Sequence, residues 1–449
     1  MTLRFGTDGV RGVANADLTP ELVVALGRAA ARVLGAKRFL VGRDTRISGP
    51  VLQAALSAGL ASEGADVVDL GVLPTPAVAW LSAADGVPAA VISASHNPYP
   101  DNGVKFFAGG GRKLADDVES RLEAELERLL HATGAGERPV GDRLGRLVSA
   151  GRGETARYVE ALTTSLDGRR LEGLRVVVDC AHGAAATTAR LVLEAAGAGV
   201  TVINDAPDGR NINDACGSTH PDGLRAAVVT ERADAGLAFD GDADRVLAVD
   251  HNGAVVDGDQ LLAMLAVDLD ERGRLHGRTV VVTVMTNLGF RVAMAERGIE
   301  VVETKVGDRY VLEALEQGSW SLGGEQSGHI IFRDLATTGD GVLTGLQVLD
   351  VVSRAQRPLA ELAGASMTRM PQVLRNVRVR ERDGLNGAQA LWDEVSEVEA
   401  ELGDAGRVLV RPSGTEPVVR VMVEAPTLEQ AEAATERLCA ALLGVLGTP

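Results

Sequence analysis

The sequence predicts an α/β chain made of three related α/β domains and a smaller C-terminal α+β domain. Length is the first reason: 449 residues exceed the roughly 250–300 at which a single hydrophobic core stops growing. The second is an opening that occurs three times, a continuous apolar strand followed by a turn and then helix-period sequence. Parallel strands covered on both faces read that way. The third is glycine, 53 of 449 residues, about 12% where ~7% is usual. That excess suits many tight turns between strands and helices.

In chain order, Phe39-Leu40-Val41 reads as a buried strand that ends in Gly42-Arg43-Asp44-Thr45-Arg46, with a helix from about Gly49. Val176-Val177-Val178 runs into Asp179-Cys180-Ala181-His182-Gly183 and then an Ala/Leu helix to about Ala196. Val280-Val281-Val282 runs into Met285-Thr286-Asn287 and a helix to about Glu296. The last part differs. Gln372 to Arg380 alternates apolar and polar residues, Val408–Val410 and Val418–Val423 read as strands, and Leu428–Leu446 is amphipathic at helical spacing. Polar, Gly-containing stretches at Ser149–Gly153, His251–Gly258 and Ala363–Pro371 divide the chain into 1–152, 153–254, 255–367 and 368–449.

Composition excludes several classes. Hydrophobic residues at 45% and charged residues at 24% rule out a wholly disordered chain. A net charge of −17 argues against a general nucleic-acid or acidic-membrane binder, but not against an anionic small molecule met by local cations. Cys180, Cys216 and Cys439 are far apart with no CxxC pair, so neither a thiolate zinc site nor a disulfide framework is expected. Their odd number fits a reducing cytoplasm. Met1–Gly6 opens no signal-peptide run, and no stretch of about 18 uncharged apolar residues occurs. The expectation is a cytoplasmic protein with no membrane partner. There is no Walker A pattern and no GxGxxG after a strand, which removes the main support for nucleotide kinase and dehydrogenase readings.

Four loops carry candidate chemistry. Ser95 lies in Ser93-Ala94-Ser95-His96-Asn97-Pro98, after the apolar strand Ala89–Ile92. Strand ends are where open α/β sheets place ligands, and proline stops a helix from forming there. The segment is a presented hydroxyl or a polar turn. Asp240, Asp242 and Asp244 alternate after Leu237-Ala238-Phe239. Carboxylates that close repel one another unless a hard cation sits between them. Arg245 and His251 stand where a calcium EF-hand loop needs Gly and Glu, which dismisses that rival. Metal is favoured over a solvated acidic turn, and magnesium follows if the partner group is a phosphate. Arg411-Pro412-Ser413-Gly414-Thr415-Glu416-Pro417 offers backbone N–H groups, two hydroxyls and a forked cation to one anion; it is a phosphate cradle or an ordinary turn. Gly109–Arg112 and Arg43–Gly49 are further Gly/Arg loops. Gly324-Glu325-Gln326-Ser327-Gly328-His329 sets four polar side chains in one glycine-bounded loop, suited to reading sugar hydroxyls or to a solvent-facing hairpin.

Together and in this order, with Gly6-Thr7-Asp8-Gly9-Val10-Arg11-Gly12 and Asn102-Gly103-Val104-Lys105, the loops resemble the α-D-phosphohexomutase superfamily over essentially the whole chain. The Glu325 loop, Val306-Gly307-Asp308-Arg309-Tyr310, Asn211-Ile212-Asn213 and Cys216–Pro221 look most like its bacterial phosphoglucosamine mutase branch. The resemblance implies four domains around a central cleft, three related α/β domains and a smaller C-terminal α+β domain. It implies interconversion of glucosamine 6-phosphate and glucosamine 1-phosphate through a phosphoserine at Ser95 and a glucosamine 1,6-bisphosphate that turns end for end. It implies one Mg²⁺ per chain on Ser95, Asp240, Asp242 and Asp244, and a 1,6-bisphosphate of glucosamine or glucose as activator. Lys105, Arg245, Arg11 and His96 would serve the transfer. Glu325, Ser327, His329 and Arg309 would contact the sugar, and Arg411, Ser413, Gly414, Thr415 and Arg420 the distant phosphate. The partner implied is a small sugar phosphate, and a homodimer is compatible with it. The rivals are a phosphoglucomutase/phosphomannomutase on the same scaffold and a non-catalytic sugar-phosphate binder.

Overall fold

Runs of β-branched and small apolar residues form the central strands, and those strands are buried on both faces. Ala89–Ile92, Ala235–Phe239 and Thr279–Thr283 are buried at every position. The computed structural model describes residues 9–131, 138–151, 153–380, 383–412 and 418–447. Among them the strands form four sheets.

Three of these sheets repeat one arrangement. In the first, Asp101–Phe107, Ala89–Ile92, Arg38–Arg43 and Asp66–Val72 lie side by side in that order. In the second the order is Val246–Asp250, Ala235–Phe239, Arg175–Asp179, Gly199–Ile203; in the third, Ile330–Phe332, Leu322–Gly324, Thr279–Thr283, Glu300–Thr304. Within each set the last three strands are parallel and the first is antiparallel to its neighbour. Val10–Val13 and Leu147–Ser149 extend the first sheet, and Val255–Val256 the second. The consequence for function is direct. The Ser95, Asp240 and Glu325 loops each leave the carboxyl end of the equivalent parallel strand and return antiparallel, so the fold places them at equivalent positions.

Contacts divide the chain into two units, Met1–Met285 with Ile299–Ser366, and Thr286–Gly298 with Met367–Pro449. The first holds the three α/β sheets. In the second, Gln372–Arg378, Val418–Glu424 and Arg407–Pro412 form an antiparallel sheet. The helices Gln389–Leu402 and Leu428–Leu446 share its apolar core through Leu391, Val395, Leu438 and Leu442 against Val419 and Val421. The sequence puts the helix Leu288–Glu296 after the third sheet's Val280–Val282 run, yet its contacts lie with the second unit. Its Leu288 N–H donates to Glu424 Oε2 at 3.1 Å, and Asn287 Nδ2 to Met370 O at 3.0 Å. Glu424 is fully buried and also receives Arg407 Nε at 2.9 Å, so its charge is met. No helix among the described residues is long and apolar enough to cross a membrane.

Candidate active site

Ser95 sits three residues beyond a buried strand and is itself buried, with φ of 51°. Its Oγ donates to Asp240 Oδ2 at 2.5 Å and lies 3.3 Å from His96 Nδ1. Ser93 Oγ accepts the Ser95 N–H at 2.9 Å and donates to Asp44 Oδ2 at 2.7 Å, which fixes the turn from below.

Asp240, Asp242 and Asp244 are all buried, with one oxygen of each within 4.8 Å of the others. Burial, then the Asp244 and Asp242 charges, push the Asp240 carboxyl well above its ordinary range. Burial acts on Asp242 in the same direction, but Lys105 and the Thr75 hydroxyl outweigh it and hold Asp242 low. Lys105 Nζ lies 2.9 Å from Asp242 Oδ2 and 3.5 Å from Asp244 Oδ2. Thr75 donates its hydroxyl to Asp242 Oδ2 at 2.7 Å and its N–H to Asp242 O at 3.0 Å. One oxygen each of Asp242 and Asp244 is buried with no hydrogen-bond partner. Orphaned, charged oxygen acceptors beside a third carboxylate fit a hard divalent cation.

Positive groups surround this cluster. Arg245 Nη1 donates to His96 Nδ1 at 3.3 Å, and the Arg245 backbone N–H donates to Asp240 Oδ1 at 3.2 Å. Burial, then Arg245 and Arg11, lower the His96 imidazole to about 4. His96 is therefore neutral near pH 7 and serves as an acceptor for Arg245. Arg11 stands on Val10–Val13, opposite Gly103.

The Glu325 loop is locked to the aspartate loop by backbone. The Val246 N–H, just after the aspartate loop, donates to Gly328 O at 3.1 Å, and Gly341 N–H, at the start of helix Gly341–Ala355, donates to Ala243 O at 3.0 Å. Gly328 has φ of 88°, and a Cβ there would sit 2.0 Å from Val246 O, so only glycine permits this approach. Glu325 Oε1 accepts the Gly307 N–H at 3.0 Å. The Ser327 hydroxyl and both His329 ring nitrogens are buried with no hydrogen-bond partner. His329 Nε2 lies 3.6 Å from Asp308 Oδ2, and that carboxylate also receives Lys113 at 2.6 Å.

The structure thus brings together Ser95, His96, Lys105, the three aspartates and Arg245, and joins the Glu325 loop to them through the backbone. Arg309 stands at the start of helix Asp308–Gly318. Its guanidinium pairs with Asp116 and with Glu119, the latter at 2.6 Å, and its Nε is buried without a hydrogen-bond partner. Arg411 and Arg420 face one another in register in the C-terminal sheet. Ser413, Gly414 and Thr415 lie outside the described residues. Sequence reasoning missed Thr75, Asp44 and Ser93. Thr75 carries no local signal, because its partner is 167 residues away.

Models for phosphoglucomutase/phosphomannomutase alpha/beta/alpha domains I, II and III match residues 2–132, 156–253 and 257–370, and the model for the C-terminal domain matches 374–441. The chain is 55% identical over 446 residues to the phosphoglucosamine mutase of Thermobifida fusca, covering 98% of this chain and 97% of the relative. It is 55% identical over 453 residues to the phosphoglucosamine mutase of Streptomyces avermitilis, with 99% of each covered. A crystal structure of a phosphoglucomutase/phosphomannomutase family protein from Burkholderia thailandensis superposes with a TM-score of 0.81 at 26% identity, over 99% of this chain and 97% of that one. The chain belongs to the phosphoglucomutase/phosphomannomutase family.

Proposed function

We propose that this protein is an intramolecular phosphotransferase that interconverts glucosamine 6-phosphate and glucosamine 1-phosphate, with Ser95 as the phosphoryl carrier. The observation that carries the reading is the buried Ser95 Oγ hydrogen-bonded to Asp240, inside a three-carboxylate cluster beside Lys105. Relatives 55% identical over nearly the full chain, named phosphoglucosamine mutase, support the amino sugar over a neutral hexose.

In the first half-reaction the sugar's free hydroxyl oxygen forms a bond to the phosphorus on Ser95. The phosphorus–Ser95 Oγ bond breaks, and the hydroxyl proton ends on Ser95 Oγ. The product is a 1,6-bisphosphate, which turns end for end. The second half-reaction reverses the step with the other phosphate, so the serine is recharged. Lys105 assists proton movement and offsets charge at the transferring group, and Arg245 and Arg11 add to that field. His96, neutral and held by Arg245, borders the serine oxygen. Asp240, Asp242, Asp244 and Ser95 would hold one Mg²⁺, which neutralises charge on the transferring group when bound.

Glu325, Ser327 and His329 orient the sugar. Arg309, paired with Glu119 of helix Asp116–His131, contacts the sugar with them. Arg411, Ser413, Gly414, Thr415 and Arg420 clamp the phosphate that is not reacting, and a glucosamine or glucose 1,6-bisphosphate primes the enzyme. We keep the four-domain division at 152/153, 254/255 and 367/368 as part of this proposal. The test compares kcat/KM on glucosamine, glucose and mannose 6-phosphates under one magnesium and bisphosphate condition. Glucosamine 6-phosphate is expected to give the highest value. A higher value on either neutral sugar assigns the chain a phosphoglucomutase/phosphomannomutase activity instead.

A further inference from the structure

The Asn211-Ile212-Asn213 segment has no part in the chemistry above, yet it reaches the Ser95 loop from another sheet. Asn213 is buried, and its own N–H is tied to Ala181 O at 2.9 Å, in the loop after strand Arg175–Asp179. Its side-chain Nδ2 donates to Ser95 O at 2.9 Å and to Asn97 O at 3.1 Å. Arg46, whose side chain is fully buried, approaches the same carbonyls from within the first sheet's own unit. Its Nη2 donates to Ser95 O and Asn97 O, both at 2.8 Å, and its Nη1 to Pro98 O at 2.6 Å. Arg46 Nε closes the set on Asp44 Oδ2 at 2.9 Å.

Both lone pairs of the Ser95 carbonyl are therefore engaged, one by each residue, while Ser93 Oγ holds the Ser95 N–H. The aspartate loop meets the same point. A Cβ on Gly241 would fall 2.5 Å from Ser95 O and 2.8 Å from Asn213 Nδ2. The backbone of a serine in the left-handed region is thus over-determined from two sheets, and only its side chain is left to move.

We propose that Asn213, acting with Arg46, is a positioning residue for phosphoryl transfer: it fixes the Ser95 backbone so that Oγ keeps one direction through both half-reactions. The proposal rests on Ser95 being the phosphoryl carrier. The charge attached at that oxygen changes each time the phosphoryl group leaves and returns, and a loop free to respond would lose the in-line approach. Misplacement of reacting atoms by about 1 Å is worth roughly 100-fold in rate. Among the described residues, the side-chain hydrogen bonds of Asn213 and Arg46 go to the Ser95 loop and Asp44 rather than to the sugar loop, so ground-state binding of the sugar phosphate should be spared.

The experiment uses the full-length protein with magnesium and glucose 1,6-bisphosphate. Asn213→Ala is compared with wild type for kcat, for KM, for thermal melting, and for phosphate on the Ser95 peptide by mass spectrometry. The expected result is a kcat at least about tenfold lower, KM within about twofold, and a folded protein. A kcat loss smaller than that, or a loss carried by KM alone, overturns the proposal. Arg46→Lys is the second arm, for the case in which Asn213→Ala does not fold. It keeps the charge beside Asp44 but not the reach to three carbonyls, and the same kcat-only loss is expected; wild-type kcat in that variant overturns the proposal equally. An active wild type with no phosphate on Ser95 removes the Ser95 reading itself. A phosphorylated wild type beside a fully active Asn213→Ala removes only the positioning role.

Discussion

Ser95 Oγ donates a 2.5 Å hydrogen bond to Asp240 Oδ2 across 145 residues of chain. The two residues follow equivalent strands in two different sheets, so their meeting is a property of how those sheets are placed within one unit. Asp240 is already crowded by burial and by Asp244 and Asp242. A phosphoryl group on Ser95 adds negative charge at the same point, and the cluster must then supply cations.

Asp242→Asn is expected to weaken magnesium binding and to lower kcat by about 100-fold or more, the range seen when electrostatic stabilisation of a transferring group is removed. Calorimetric titration with magnesium and steady-state rates check both parts. Turnover that persists unchanged in excess chelator contradicts the metal role.

Lys105 neutralises Asp242 and Asp244 from inside the site. Lys105→Met removes a charge that competes with the metal. Magnesium should then bind at least as tightly as in wild type, while kcat falls by about 100-fold through lost acid–base and charge assistance. Parallel titrations and rates on the two proteins decide it; weaker magnesium binding in the variant contradicts the competition.

Arg411→Ala is expected to raise KM for the sugar phosphate and to lower kcat less, because the distant phosphate contributes binding energy and positions the reacting end. Saturation curves on glucosamine 6-phosphate read this. Wild-type KM would place the clamp elsewhere.

Asp340 caps helix Gly341–Ala355 by accepting the Leu343 N–H and is fully buried beside the Tyr158 hydroxyl at 2.7 Å. Burial raises its carboxyl from 3.8 to about 6. The folded state therefore holds this proton more tightly than the unfolded chain. The resulting stability is complete below about pH 4 and is lost as pH rises through about 6, by an amount on the order of 3 kcal/mol. Asp340→Asn keeps a good cap and cannot ionise. Its melting temperature relative to wild type should rise between pH 5 and pH 8 by a few degrees. A difference that is flat in pH contradicts the assignment.

The parts of the site legible in the sequence are those written in consecutive residues. The aspartate triad and the Ser95 loop each follow an apolar run and the Glu325 loop is bounded by glycines, which marks all three as candidates, while the family resemblance decides between the alternatives each leaves open. Residues that act across the fold carry no such mark. Thr75 has no local signal, and Asn213 stands in a segment that carries the resemblance but no role; their partners lie 167 and 118 residues away. The ion pairs of Arg309 with Asp116 and Glu119 of a distant helix likewise carry no mark in the sequence. The helix Leu288–Glu296 shows the same limit for the fold. Its sequence follows the third sheet's strand, while Glu424 and Met370 determine where it packs.

The most direct test of Ser95 as phosphoryl carrier is a single-turnover experiment. The purified protein is charged with a radiolabelled 1,6-bisphosphate, separated from free ligand, digested and mapped, and a second portion is mixed with unlabelled glucosamine 6-phosphate. The account predicts label on the Ser95 peptide, its discharge to the sugar at a rate no slower than kcat, and neither event in Ser95→Ala. Label on another residue, or full turnover in a folded Ser95→Ala, would contradict it.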